Sequence, residues 1–366
     1  MSLTTKANSP YQDLPKQAFW QTGVVQTSPF EMVDVYEKKW EIEPSWKIAT
    51  AGSCFAQHIS RQLKAKKLNV LDVEPAPHGL PEALWKGFGY DLYSARYGNI
   101  YTVHQLLQLT KELSGAFEPD TYIWMKNGRF FDAFRPSIEP NGFESVRELV
   151  TMREYHLNQV RKMFQSVDLF IFTLGLTETW VQKQTGLVFP TAPGTIAGSF
   201  DAAEFEFKNY GFAEILSAFE EFMRVLEGLR PNIRLPKILL TVSPVPLTAT
   251  ASGKHVLSAS SYSKSVLRAV AGSLSDIYDH IDYFPSYEII TNQSARGMFY
   301  ETNLRGVRSE GVASVMKAFL SAHKFEMPQI EQSGQTKAER PDGRTQSQIN
   351  YPMCDEELLD AFNAKA

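Results

Sequence analysis

The sequence predicts an α/β protein with a doubly wound, mostly parallel five-stranded sheet and helices on both faces. Two observations carry that expectation. Short, continuously apolar runs recur along the chain, and most are followed by segments whose apolar residues fall three and four apart. Strands that are apolar throughout belong to sheets buried on both faces, and helical connections of this kind join parallel strands.

Residues 47–51 form the first expected strand, followed by a helix over 57–67 with Ile59 and Leu63 on one face. Residues 69–73 read as a short second strand and 103–113 as a helix. Residues 168–174, bounded by Gly175, are the third strand, and 237–243, stopped by Pro244, are the fourth. Helices over 143–166 and 212–229 separate them, the second ended by Arg230-Pro231. A helix over 259–280, a fifth strand over 287–291 and a helix over 309–323 complete the domain.

The 366 residues, 43% hydrophobic and 21% charged, suffice for one large core or two modest ones. A net charge of −4 gives no electrostatic case for nucleic acid or an anionic membrane, since Lys64, Lys66 and Lys67 are the nearest approach to a basic run. Two widely separated cysteines, Cys54 and Cys354, do not make a disulfide framework and fit a reducing compartment. The first 20 residues lack a basic cluster followed by an apolar run, and no stretch approaches the length of a membrane span, so a cytoplasmic location is expected. Metal-binding and phosphate-loop spacings are missing, so no metal and no cofactor are expected.

Residues 1–44 read as an N-terminal extension whose aromatics, including Phe30, Tyr36 and Trp40, wrap the core. Residues 45–325 form the α/β domain. Within it, 119–140 is an inserted aromatic hairpin turning at Asn127-Gly128. Residues 326–366 are a polar linker followed by a short amphipathic helix at 355–362, expected to dock on a partner or on the body.

The junction after the first strand reads Gly52-Ser53-Cys54-Phe55-Ala56. Glycine permits a tight turn and close backbone approach. A hydroxyl or thiol there sits at a helix N-terminus, where free N–H groups and the dipole favour a thiolate or an oxyanion. On these residues alone, a buried small Cys54 and a capping Ser53 remain an equal reading. Ligands of such sheets collect outside the carboxyl ends of the strands. Of the seven histidines, His255 lies in the loop after the fourth strand and is the expected base, with His78 the runner-up.

The string 52–56, with 173–180, 241–246 and Tyr262-Ser263-Lys264 following in order, resembles the GSCFA family. That family is itself similar to the SGNH/GDSL hydrolases, and the resemblance covers about residues 45–320. It implies a flavodoxin-like, SGNH-hydrolase-like winding and ester chemistry: hydrolysis, or O-acyl transfer from a donor such as an acyl-CoA. The expected substrate is a small-molecule or glycan ester, with an acylated carbohydrate hydroxyl favoured. Laying Gly52 on the glycine of the Gly-Asp-Ser block puts the nucleophile at Cys54, and a shift of one residue puts it at Ser53.

By the same resemblance, Gly98, with Asn99 beside it, matches the block that lends an N–H to the oxyanion. Thr177 and Glu178 stand where SGNH proteins carry Asn and Asp. The usual Asp-x-x-His is replaced by Asn303 and Gly306, which leaves the base to His255. The competing expectation is a non-catalytic binding protein that keeps the fold and has lost the base.

Overall fold

A computed structural model of the protein describes residues 9–115, 117–325 and 355–363. The expected linker and Cys354 lie outside the described residues. Nine strands and nine α-helices are present among the described residues: β1 (Ile48–Gly52), α1 (Phe55–Ala65), α2 (Glu82–Trp85), α3 (Val103–Ser114), β2 (Ile123–Lys126), β3 (Arg129–Asp132), α4 (Val146–Ser166), β4 (Leu169–Leu174), β5 (Glu178–Gln182), β6 (Val188–Phe189), β7 (Phe205–Asn209), α5 (Phe212–Leu229), β8 (Lys237–Val242), α6 (Val256–Ile277), β9 (Ile281–Tyr283), α7 (Ser286–Thr291), α8 (Ser309–Ala322) and α9 (Asp360–Asn363).

The central sheet is parallel and four-stranded, in the order β1-β4-β8-β9. Its strands alternate between two cores. Ala49, Phe170, Phe172 and Leu240 pack with α3, α4, α5 and α6, whereas Ile48, Ile171 and Leu239 pack with α1, α7 and α8. Burial on both faces explains why these strands read as unbroken apolar runs.

Three features depart from the sequence expectation. The expected strand at 69–73 forms a single parallel bridge, Ile48 to Val70. Beyond it the outer edge of β1 is covered by residues 94–100: Thr50 N donates to Ser94 Oγ (3.0 Å), and Ile100 N donates to Gly52 O (2.9 Å). The sheet is therefore four-stranded, not five-stranded.

Residues 287–291 are helical, in α7, and the pairing with β8 is made by Ile281–Tyr283 instead. A short apolar run does not distinguish helix from strand. Here Phe284 N closes the ladder on Leu240 O, and Pro285 then separates strand from helix. Third, an antiparallel sheet, β6-β5-β7, follows Gly175 directly. The hairpin stands as expected, with β2 and β3 joined through Asn127 (φ 51°) and Gly128 (φ 73°).

A buried ionic network ties this hairpin to the body. Arg153 on α4 binds Glu112 on α3 and Asp132 at the end of β3. Arg135 binds Asp132 (2.7 Å) and donates to the carbonyl of Arg96 (3.0 Å). Burial alone would raise the Asp132 carboxyl, but the two guanidiniums outweigh it and hold it below the usual carboxylate range. Arg96 in turn pairs with Glu139 (2.6 Å), and its N–H donates to Glu74. The segment carrying residues 96–101 is thus fixed from both sides.

The N-terminal extension packs on the α1–α7–α8 side. Tyr36 OH and Lys39 N both donate to Asp282 Oδ2 on β9, each at 2.9 Å. The His323 ring packs in tilted contacts among Tyr36, Phe319 and Phe325.

Two outcomes test this packing. Gly52→Ala should cost about 1–3 kcal/mol or more, because a Cβ there would lie 2.4 Å from Thr173 O; urea denaturation reads it. Buried histidines set the acid response: burial holds His156 and His323 at about 4, below the ordinary value of about 6.5. The unfolded chain therefore binds more protons between these values, and stability should fall as pH drops through that window. Both ring nitrogens of His323 are buried with no hydrogen-bond partner among the described residues. His323→Phe should match or exceed wild-type stability at pH 7.5 and flatten the acid slope, as urea midpoints across pH would show.

Candidate functional site

The turn after β1 is shaped by a close approach. Gly52 has φ +136°, and the space a side chain would need is taken by the backbone of Thr173 on β4. Ser53 N donates to Thr173 O (3.3 Å), and Cys54 caps α1. Both side chains are buried. Gly175 completes the turn's surroundings: a Cβ on it would lie 2.9 Å from Ser53 Cβ and 3.0 Å from Tyr101 O. Its bare face therefore lets Ser53 and Tyr101 close on it from two sides, while Gly175 N and Leu176 N donate to Tyr101 O.

Ser53 Oγ is buried and has no hydrogen-bond partner among the described residues. Leaving a buried hydroxyl unsatisfied costs about 1–3 kcal/mol. Thr50 Oγ1 on β1 and Thr173 Oγ1 on β4 are likewise buried without a hydrogen-bond partner among the described residues.

Beside it runs a chain of side-chain hydrogen bonds. Gln57 on α1 donates to Tyr93 OH (3.2 Å), Tyr93 donates to Asn99 Oδ1 (2.5 Å), and Asn99 Nδ2 donates to Asp355 Oδ2 (2.9 Å). Asn99 is thus buried and hydrogen-bonded on both sides of its amide. Its neighbour Gly98 has φ +67° and lies against Arg135 and Ile138, so backbone conformation accounts for the glycine.

Thr177 N donates to Ser263 Oγ on α6 (3.1 Å), while its hydroxyl donates to Asn209 Oδ1 (2.7 Å). That hydroxyl hydrogen is therefore already committed. Glu178 accepts from Thr250 Oγ1 (2.8 Å), and burial pushes its carboxyl up despite that bond. It lines a cavity of about 720 Å³, open to solvent, with Leu176, Trp180, Leu247, Thr250 and Leu359. Lys264 is buried, and its Nζ donates to Gly175 O (2.7 Å), fixing the glycine that Ser53 touches.

The histidines are dispersed. His255 caps α6, its Nδ1 accepting from Leu257 N (3.2 Å), and is exposed. His78 is also exposed. His156 bonds Glu74 (2.7 Å), and His104 stacks on Tyr210. His58 lies against Phe55 and Arg61, and burial lowers it to about 3. The loop carrying Asn303 and Gly306 lies near the end of β8, with Tyr300 OH donating to Pro244 O (2.9 Å). There Asn303 Oδ1 accepts from Arg305 N and Gly306 N, each at 2.9 Å. It serves the turn.

Sequence reasoning gave no role to Tyr93, Tyr101, Lys264 or Asp355. Lys264 was visible within the Tyr262-Ser263-Lys264 motif. Nothing local announces that Asp355 meets Asn99 across 256 positions.

Among the described residues no group of three or more His, Cys, Asp or Glu could hold a metal ion, and no helix is long and apolar enough to cross a membrane. No curated protein matches the chain. The model of the GSCFA family matches residues 47–319, from the lysine before β1 into α8. That span takes in the Gly52–Ala56 turn, the Gly175 loop and the hairpin together, and on it the chain belongs to the GSCFA family.

Proposed function

We propose that the chain is an SGNH-like ester hydrolase or O-acyltransferase acting through the Gly52-Ser53-Cys54 turn on an acylated hydroxyl, with a carbohydrate as the favoured bearer. The observation that supports it is the buried, unpartnered Ser53 hydroxyl, set against Gly175 and next to the start of α1.

In this reading Ser53 Oγ or Cys54 Sγ attacks the ester carbonyl, and its proton passes to a base. The carbonyl oxygen becomes an oxyanion held by N–H and side-chain donors around the turn, Asn99 among them. Collapse breaks the acyl–oxygen bond, and the leaving alkoxide recovers the proton from the base. Water or a second hydroxyl then takes the acyl group from the enzyme. His255 is the proposed base, its Nδ1 accepting from Leu257 N at the start of α6. Gly98 is the proposed backbone donor to the oxyanion, while the Thr177 hydroxyl hydrogen is engaged by Asn209.

A specific observation favours a second reading, a binding protein without chemistry. Asn303 stands at the position of the usual dyad and is spent on its own turn.

Turnover of p-nitrophenyl acetate and butyrate separates the two. Ser53→Ala or Cys54→Ala should abolish the turnover seen in wild type, identifying the attacking atom, and His255→Ala should lower it by about 10²–10⁴-fold. Indistinguishable rates in wild type, both nucleophile variants and the double variant would leave only binding.

A further inference from the structure

The C-terminal segment enters the site just described. Asp355 opens a 3-10 turn, Asp355–Leu359, that continues into α9, and its side chain is buried. One of its carboxyl oxygens, Oδ2, faces two donors: Asn99 Nδ2 at 2.9 Å and Tyr101 OH at 3.4 Å. Its backbone N–H donates back to Tyr101 OH at 3.1 Å. Four residues on, Leu359 enters the wall of the cavity beside Leu176, Leu247 and Glu178.

Two donors converging on one oxygen is the arrangement an ester carbonyl needs as charge develops on it. Both donors are connected to the nucleophile turn. Ile100 N binds Gly52 O, the Tyr101 carbonyl carries Gly175, and Asn99 is linked through Tyr93 to Gln57 in the first turn of α1. The cradle is uncharged: Asn99, Tyr101 and Ser137 are the groups that hydrogen-bond Asp355, and burial pushes its carboxyl up against them. It therefore suits a neutral carbonyl better than a carboxylate.

The geometry points to Asp355–Asn363 as a built-in competitor of the substrate, with the Asp355 oxygen on the Asn99–Tyr101 pair where an ester carbonyl oxygen would bind, and Leu359 in the slot for a short aliphatic acyl chain. This rests on the ester reading. Substrate then reaches its site only in the fraction of molecules whose C-terminal segment has left, and apparent affinity falls by that fraction.

The test uses the full chain. Hydrogen exchange over residues 355–363 is compared in wild type, Asp355→Ala and Leu359→Glu, beside p-nitrophenyl butyrate turnover. Slow exchange in wild type, lost in both variants and accompanied by roughly tenfold faster turnover or lower KM, is the expected result. A synthetic peptide of residues 351–366, added to Asp355→Ala, should then inhibit competitively. Equally fast exchange in wild type and variants would overturn the inference while leaving ester turnover, judged by the Ser53 and Cys54 variants, untouched. Release of the segment without a gain in turnover would also overturn it. Release with no turnover in any chain would remove the inference and the ester reading together.

Discussion

The site depends on the close approach of β1 and β4 at Gly52. No residue with a side chain fits there, because Thr173 backbone atoms already fill the space within 2.4–2.8 Å of a Cβ position. That contact sets the height at which the chain leaves β1, and so the placement of Ser53 against Gly175. A second glycine at the end of β4 makes the arrangement reciprocal: Gly52 yields to Thr173, and Gly175 yields to Ser53 and Tyr101. The Gly52–Cys54 turn is thereby defined by backbone contacts.

A different physics holds the segment beside that turn. Residues 94–101 have no strand or helix of their own. They are pinned on one side by β1, through Thr50 and Gly52, and on the other by Arg135 and the Arg96–Glu139 pair. Buried ion pairs add little net stability once desolvation is counted, but breaking one partner is costly. Here the Arg153, Arg135 and Arg96 guanidiniums connect the hairpin, α3 and α4 to the segment that presents Asn99 and Tyr101. The aromatic insertion is thus part of the support of that segment.

Long periodic segments were legible in the sequence. α5 spans the expected residues 212–229, and the Asn127-Gly128 hairpin turns where its two left-handed residues require. Short apolar runs were not. Residues 287–291 carry adjacent isoleucines that suit either a strand or a buried helix, and only the ladder from Ile281 to Phe284 decides between them. The strands β5 to β7 escaped notice because two to five residues give periodicity little to act on. Within the candidate site, the Gly52–Ala56 turn was legible as a strand-to-helix junction and as a family motif. The burial of Asp355 was not, since it depends on groups placed by tertiary structure.

The sheet order β1-β4-β8-β9 has one more consequence, for how the molecule is made. Reading across the sheet gives the strands in the order in which they are synthesised. Each emerging strand finds its partner already present at one growing edge, so the sheet can be extended outward as the chain lengthens, amino-terminal part first. The N-terminal extension runs against this order. It is made before any strand of the sheet, yet Tyr36 and Lys39 have their partner on Asp282, more than 240 residues later. Tyr36 and Lys39 are therefore made early and find their place late.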